Sequence, residues 1–156
     1  MRTLLMLAVA LLVIPALVPA AWGANSPLPA ARPADTDYEN GMKAIQSQNW
    51  KAAIEYFDRV AAREPANADA QNELGYAWRK SGNLDLAFKH YEEALRLDPK
   101  HKGAHEYIGE AYLMAGNLPK AEEHLAALDK ICTFSCEEYR DLKKAIEAYK
   151  QKQGQP

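Results

Sequence analysis

The chain has 156 residues, 26% of them charged, a formal net charge of −2 and two cysteines. That size suits one domain with a tail, and the near-neutral balance leaves no basic footprint for nucleic acid. Two cysteines are too few for a disulfide-dense mini-fold, so the folded part must stand on an apolar core.

The overall apolar content of 48% overstates that core, because 18 of the first 23 residues belong to the class. Met1 and Arg2 precede an apolar run from Leu4 to Val18, followed by Pro19 and small residues. A short positive start, an apolar middle and a small-residue cleavage site predict a secretory signal over residues 1–23. Ala21 and Gly23 are the small side chains before a cut ahead of Ala24. An uncleaved anchor would need about 20 apolar residues to cross the hydrocarbon, and Pro15 and Pro19 interrupt this one. The expected location is therefore across the inner membrane, in the periplasm, with no membrane contact once the signal is removed. Residues 24–34, ANSPLPAARPA, hold Pro27, Pro29 and Pro33 too closely for helix or sheet and are expected to form an extended, disordered linker.

From Ala34 the chain repeats itself. Gly41, Gly75 and Gly109 are each 34 apart, as are Asn49, Asn83 and Asn117, and Ala53, Ala87 and Ala121. Phe57, Tyr91 and Leu125 keep the step, and so do Pro65 and Pro99. A fixed period of this size predicts an all-α solenoid of stacked helical hairpins, each burying what its neighbour leaves exposed. Glycine inside a helix costs about 1 kcal/mol against alanine, so Gly41, Gly75 and Gly109 are expected where a neighbouring helix passes closely, with Ala53, Ala87 and Ala121 facing them. The asparagines are placed to cap the second helices, and the prolines to end them.

These copies resemble the tetratricopeptide repeat. Ala68 to His101 fits best, with Leu74-Gly75-x-x-Trp78, then Ala87-x-x-x-Tyr91-x-x-Ala94, then Asp98-Pro99. Lys102 to Ser135 keeps Ile108-Gly109-x-x-Tyr112 and Ala121-x-x-x-Leu125, with Thr133 in place of the exit proline. Ala34 to Asn67 keeps Gly41, Ala53-x-x-x-Phe57 and Pro65, but Asn40 and Ala44 replace the leucine and the aromatic. The resemblance implies repeats over residues 34–67, 68–101 and 102–135, closed by a helix over 135–152 and a tail over 153–156. In the closing segment Tyr139, Leu142, Ile146 and Tyr149 fall on one stripe. Ser135 with Glu138 has the pattern of a capping box, and Phe134 with Tyr139 the spacing of a hydrophobic staple.

Cys132 and Cys136 flank the predicted junction between third repeat and closing helix. A chain reversal there brings two cysteines into bonding range, and export favours a disulfide stapling repeat to lid. A competing reading makes the pair the working part of a redox or metal-handling accessory protein. Against it, a thioredoxin-type motif has two intervening residues rather than three. His101 and His105 are four apart, but the second histidine of a zinc-protease motif beginning at His105 would fall on Gly109. His90 and His124 are expected at the surface, and no metal or other cofactor is expected. Phosphate loops, nucleophile elbows and paired apolar carboxylates are missing as well, so no enzyme is expected.

In the resembled family the first helix of each repeat lines a concave groove that holds a peptide or helix of a partner protein. The corresponding positions are Tyr38, Met42 and Ile45; Asn72, Tyr76 and Arg79; and Glu106, Glu110 and Leu113. Some of these are expected to pack between helices instead. Chaperone adaptors of the family hold a terminal carboxylate at five basic or amide positions, occupied here by Tyr38, Met42, Glu73, Gly103 and Tyr107. Carboxylate capture is therefore not expected, and Glu106 with Glu110 favours a basic or neutral ligand. The expected role is that of an exported adaptor or assembly factor with a protein partner, and self-association is a further candidate.

Overall fold

The computed structural model describes residues 33–154, with side chains from Thr36 onward. The expected signal and nearly all of the tether, residues 1–32, lie outside the described residues, as do the final two. Among the described residues seven helices follow one another: α1 Pro33–Gln46, α2 Trp50–Arg63, α3 Ala68–Lys80, α4 Leu84–Leu97, α5 Lys102–Met114, α6 Leu118–Ile131 and α7 Glu137–Lys152. Among the described residues there is no strand, and no helix is long and apolar enough to cross a membrane. α1 begins at Pro33, inside the segment assigned to the tether; proline is tolerated in the first turn, where its missing N–H has no partner to lose.

The helices pair as hairpins α1/α2, α3/α4 and α5/α6, each hairpin stacks on the next, and α7 lies on both α5 and α6. The fold is thus an all-α solenoid with a closing helix. Its punctuation is local. Asn49, Asn83 and Asn117 accept from the backbone N–H groups of Ala52, Leu86 and Lys120, filling donors that the first turn leaves open. Two further caps stand 34 apart with different residue types, and so do not show as an in-phase identity: Asn67 accepts from Ala70 N, and His101 Nδ1 from Ala104 N. The hairpin turns need a left-handed residue. Gly82 (φ 91°) and Gly116 (φ 77°) supply it, and Gln48 (φ 57°) fills the same place in the first repeat.

The core shows what each glycine makes room for. A Cβ on Gly75 would stand 2.5 Å from the Tyr91 ring, and one on Gly41 2.7 Å from Phe57. The first two glycines therefore make room for the aromatic ring of their own hairpin, and Ala53 and Ala87 are buried in the same clusters as those rings. In the third hairpin the matching position holds Leu125, which has no ring. Leu142 of α7 comes instead, with its Cδ2 2.6 Å from where a Gly109 Cβ would lie. Leu142 and Ile146 are buried, with Tyr139 and Tyr149 packed beside them against Leu113, Ala121 and Leu128. The closing helix thus completes the third repeat's core.

The start of α7 differs from its expected form. Its N-cap is Cys136, without a side-chain capping bond, and Phe134 is 89% exposed. Neither the capping box nor the staple forms. The chain turns through Thr133 to Ser135 with the alpha carbons of Cys132 and Cys136 5.7 Å apart, within the usual range for a disulfide, and this places Ser135 outside the helix.

Candidate functional site

The first helices bring together three columns of residues, one per helical turn. Tyr38, Asn72 and Glu106 form one; Met42, Tyr76 and Glu110 the second; Ile45, Arg79 and Leu113 the third. They divide by burial. Tyr38, Met42 and Ile45 are half-buried against the first core cluster, Tyr38 meeting the Phe57 ring edge-on at 5.3 Å. Burial, reinforced by Glu73 and Asp69, pushes the Tyr38 hydroxyl up to about 12. Asn72, Arg79 and Leu113 are buried, whereas Tyr76, Glu106 and Glu110 remain partly open.

Arg79 is not available as the free charge the sequence suggests. Its guanidinium pairs with Glu110 at 2.7 Å, its Nε–H donates to the Tyr91 hydroxyl at 3.3 Å, and it lies over the rings of Tyr76 and Tyr107, 5.3 and 5.4 Å from their centroids. The pair ties the second repeat to the third and neutralises Glu110. What reaches solvent is an aromatic row: Tyr76 stacks obliquely on Tyr107 at 5.0 Å and meets Trp50 edge-on at 6.1 Å. Lys80 sits over both Trp50 and Tyr76, 5.8 and 5.9 Å from the centroids. Trp50 and Lys80 were not among the residues picked from the sequence. Their signal was weak: Trp50 shares its repeat position with Leu84 and Leu118, and reads there as one more packing residue.

Beyond Tyr107 the face turns acidic. A cleft of about 420 Å³ lies between α3, α5 and α7, lined by Asn72, Glu73, Tyr107 and Glu106 with Glu137, Glu138 and Asp141 of the closing helix. Burial first, then Glu110, Asp141 and Glu138, pushes the Glu106 carboxyl up to about 8. Burial likewise raises Glu73 to about 7, against a hydrogen bond from Asn72 that favours its charged form. The α7 carboxylates are absent from the repeat pattern because the closing helix lies outside the period.

The histidines are less exposed than expected. His105 is 9% exposed; its Nδ1 and that of His124 share a hydrogen bond at 2.9 Å, and its Nε2 faces the Pro99 carbonyl at 3.2 Å. Burial, then the neighbouring His105, lowers His124 to about 4. His90 bonds Gln71 at 2.8 Å, and His101 Nε2 reaches Asp69 at 3.0 Å. All four thus have structural bonds. Among the described residues, no three of His, Cys, Asp and Glu are grouped to hold a metal ion.

Two tetratricopeptide repeat profiles match the chain, over residues 38–102 and 79–146. No curated protein matches its sequence. Solved structures similar to it include the type III secretion translocator chaperone SycD of Yersinia enterocolitica, at TM-score 0.69 and 21% identity, covering 77% of this chain and 85% of that one. The tetratricopeptide repeat domain of Sgt2 from Aspergillus fumigatus gives TM-score 0.70 and 21% identity, covering 80% and 81%. SycD in complex with a peptide of the translocator YopD gives TM-score 0.66 and 21% identity, covering 76% and 93%. At these identities the likeness shows the fold, and the two profiles, overlapping into one continuous stretch across all three hairpins and the closing helix, show that the chain belongs to the tetratricopeptide repeat family.

Proposed function

We propose that this protein is an exported binding module that holds a peptide or helix of a partner protein on the face formed by α1, α3 and α5. The observation that carries the reading is the partly open aromatic row of Trp50, Tyr76 and Tyr107. Flat, rigid rings beside charged groups give contact area at little entropic cost, the usual make-up of binding hot spots. SycD, which shares the fold, has been solved with a peptide of a partner. Function here rests on binding rather than on bond chemistry. Export to the periplasm is part of the proposal and is supported by the sequence of residues 1–23. A disulfide between Cys132 and Cys136 belongs to it too, since an oxidising compartment keeps such a bond formed.

The test is site-specific photo-crosslinking in the native cells, with the probe at Met42 on the proposed face and at Asp129 on α6. The reading expects one discrete product from position 42, absent from position 129. It also expects that product to vanish when Trp50 and Tyr76 are replaced by alanine, with thermal melting showing the fold retained. Equal crosslinking from both positions, or a product that survives the double replacement, refutes it. N-terminal sequencing of the protein from fractionated cells tests export: a chain starting at Ala24 in the periplasmic fraction supports it, and a chain starting at Met1 in the cytosol overturns it.

A further inference from the structure

The acidic cleft differs from the aromatic row in chemistry. Nearly all its polar side chains offer acceptors: Glu73, Glu106, Glu138 and Asp141 bring carboxylates from three helices. Asn72 adds a second and independent observation. It is 3% exposed, it lines this cleft, its Nδ2 donates to Glu73 Oε1 at 3.2 Å, and its Oδ1 is buried with no hydrogen-bond partner among the described residues. A buried acceptor left unpaired is costly, and a ligand that supplies an N–H recovers that cost.

Two basic side chains beside the cleft, Arg79 and His101, are engaged elsewhere. Arg79 is held by Glu110 and Tyr91. His101 spends one ring nitrogen on the cap of α5 and the other on Asp69. Carboxyls from three helices therefore outnumber the positive charge beside them: Arg79 acts on Glu106 while bound to Glu110, and Lys144 borders Glu106 and Asp141 from the adjoining surface. The carboxyls are also not grouped to hold a metal ion, so the complement is an organic cation carrying several N–H donors.

We infer that the cleft between α3, α5 and α7 seats a lysine or arginine side chain of the bound polypeptide, with its N–H groups donating to Asn72 Oδ1 and to the carboxylates of Glu106 and Asp141. This rests on the proposed peptide-binding face and names the residue class that fixes the peptide's register along it. The cleft is adjacent to Tyr107, so a peptide lying on the aromatic row reaches it without a bend across another element. Charge-assisted bonds in a half-buried cleft are stronger than those at an open surface, and the acidic rim rejects a peptide that presents an acidic residue there. The closing helix thus contributes to binding as well as covering the third repeat.

The test is an NMR titration of the ¹⁵N-labelled protein with three capped alanine pentapeptides, whose central residue is arginine, lysine or the uncharged norleucine. The inference expects saturable shifts of the Asn72, Glu73, Glu106 and Tyr107 amides with an arginine or lysine peptide and not with norleucine. The double variant Glu106→Gln, Asp141→Asn is expected to weaken that binding about tenfold, equivalent to 1.4 kcal/mol. It removes repelling charges, so its melting temperature should hold or rise, and its circular dichroism confirms the fold. Shifts of equal size with norleucine, no shift with either basic peptide, or unchanged affinity in the double variant would each overturn the inference. Crosslinking from Met42 reads the peptide-binding face by itself, so a discrete product there alongside a negative titration discards the cation site and leaves the face standing.

Discussion

Gly109 and Leu142 form a pair whose coupling follows from geometry. Leu142 is fully buried, and Leu142→Ala removes three carbons from a closed site, costing about 3–4 kcal/mol through lost transfer and residual cavity. Gly109→Ala acts in two directions. Alanine is the better helix residue by about 1 kcal/mol, but its Cβ would stand 2.6 and 2.7 Å from the two Leu142 methyls, far inside the carbon contact distance of about 3.5–4.0 Å. Overpacking of this sort costs about 1–3 kcal/mol, so the single change comes out destabilising by about 1 kcal/mol. Combined, the alanine at 109 enters the space that Leu142 vacates. The overlap disappears and the helix preference remains, so the double variant should be about 2 kcal/mol more stable than the sum of the singles. Urea titrations of the four proteins at constant slope measure this cycle. Gly75→Ala serves as the control, since its clash is with Tyr91 and Leu142→Ala cannot relieve it. Additivity of the Gly109 and Leu142 changes to within about 0.5 kcal/mol would show that α7 does not sit on the third hairpin as described.

Four further outcomes are expected. Gln48→Gly should raise stability by about 0.5–1 kcal/mol in thermal melts, because Gln48 holds the left-handed geometry that glycine adopts freely in the next two turns. Asn83→Ala should lower it by about 1 kcal/mol through the lost bond to Leu86 N. Replacing Cys132 and Cys136 by serine should cost about 2 kcal/mol by chain entropy in protein with both thiols blocked by a bond to each other, and nothing in protein kept reduced. Glu106→Gln tests the cleft's electrostatics. A carboxyl raised to about 8 holds its proton in the folded chain where the unfolded chain has lost it, so folding weakens as pH climbs from the ordinary carboxylate range through 8. The variant should therefore match the parent near pH 4.5 and exceed it at pH 9. His124 acts with opposite sign, because its lowered value withdraws stability as pH falls from 6.5 toward 4; the comparison with parent at each pH separates the two. Equal melting curves for parent and Glu106→Gln at pH 9 would remove the buried-carboxyl account.

Much of this was legible because the repeat is one-dimensional. A residue 34 positions on occupies the same place in the next hairpin, so caps, turns and first-helix columns follow from in-phase identity, as Asn49, Asn83 and Asn117 show. The pattern was silent where a contact joins elements that are not repeats of each other. Glu137, Glu138 and Asp141 look like ordinary surface charges of an amphipathic helix, and only the docking of α7 beside α3 and α5 makes them walls of a cleft. The period also misassigned roles within a place. Arg79 occupies a groove position, yet whether it offers its charge outward or spends it on Glu110 and Tyr91 depends on how the second and third hairpins register.

The sequence by itself therefore determined the hairpins, their order and their stacking, because periodic apolar burial and local hydrogen-bonding signals act over a few residues and repeat. Tertiary structure alone decided which ring fills each glycine gap, which charges are consumed internally and where acceptors gather without a donor. Those outcomes depend on distances of a few ångströms between side chains far apart in the chain, and electrostatic and packing energies change sign over such distances.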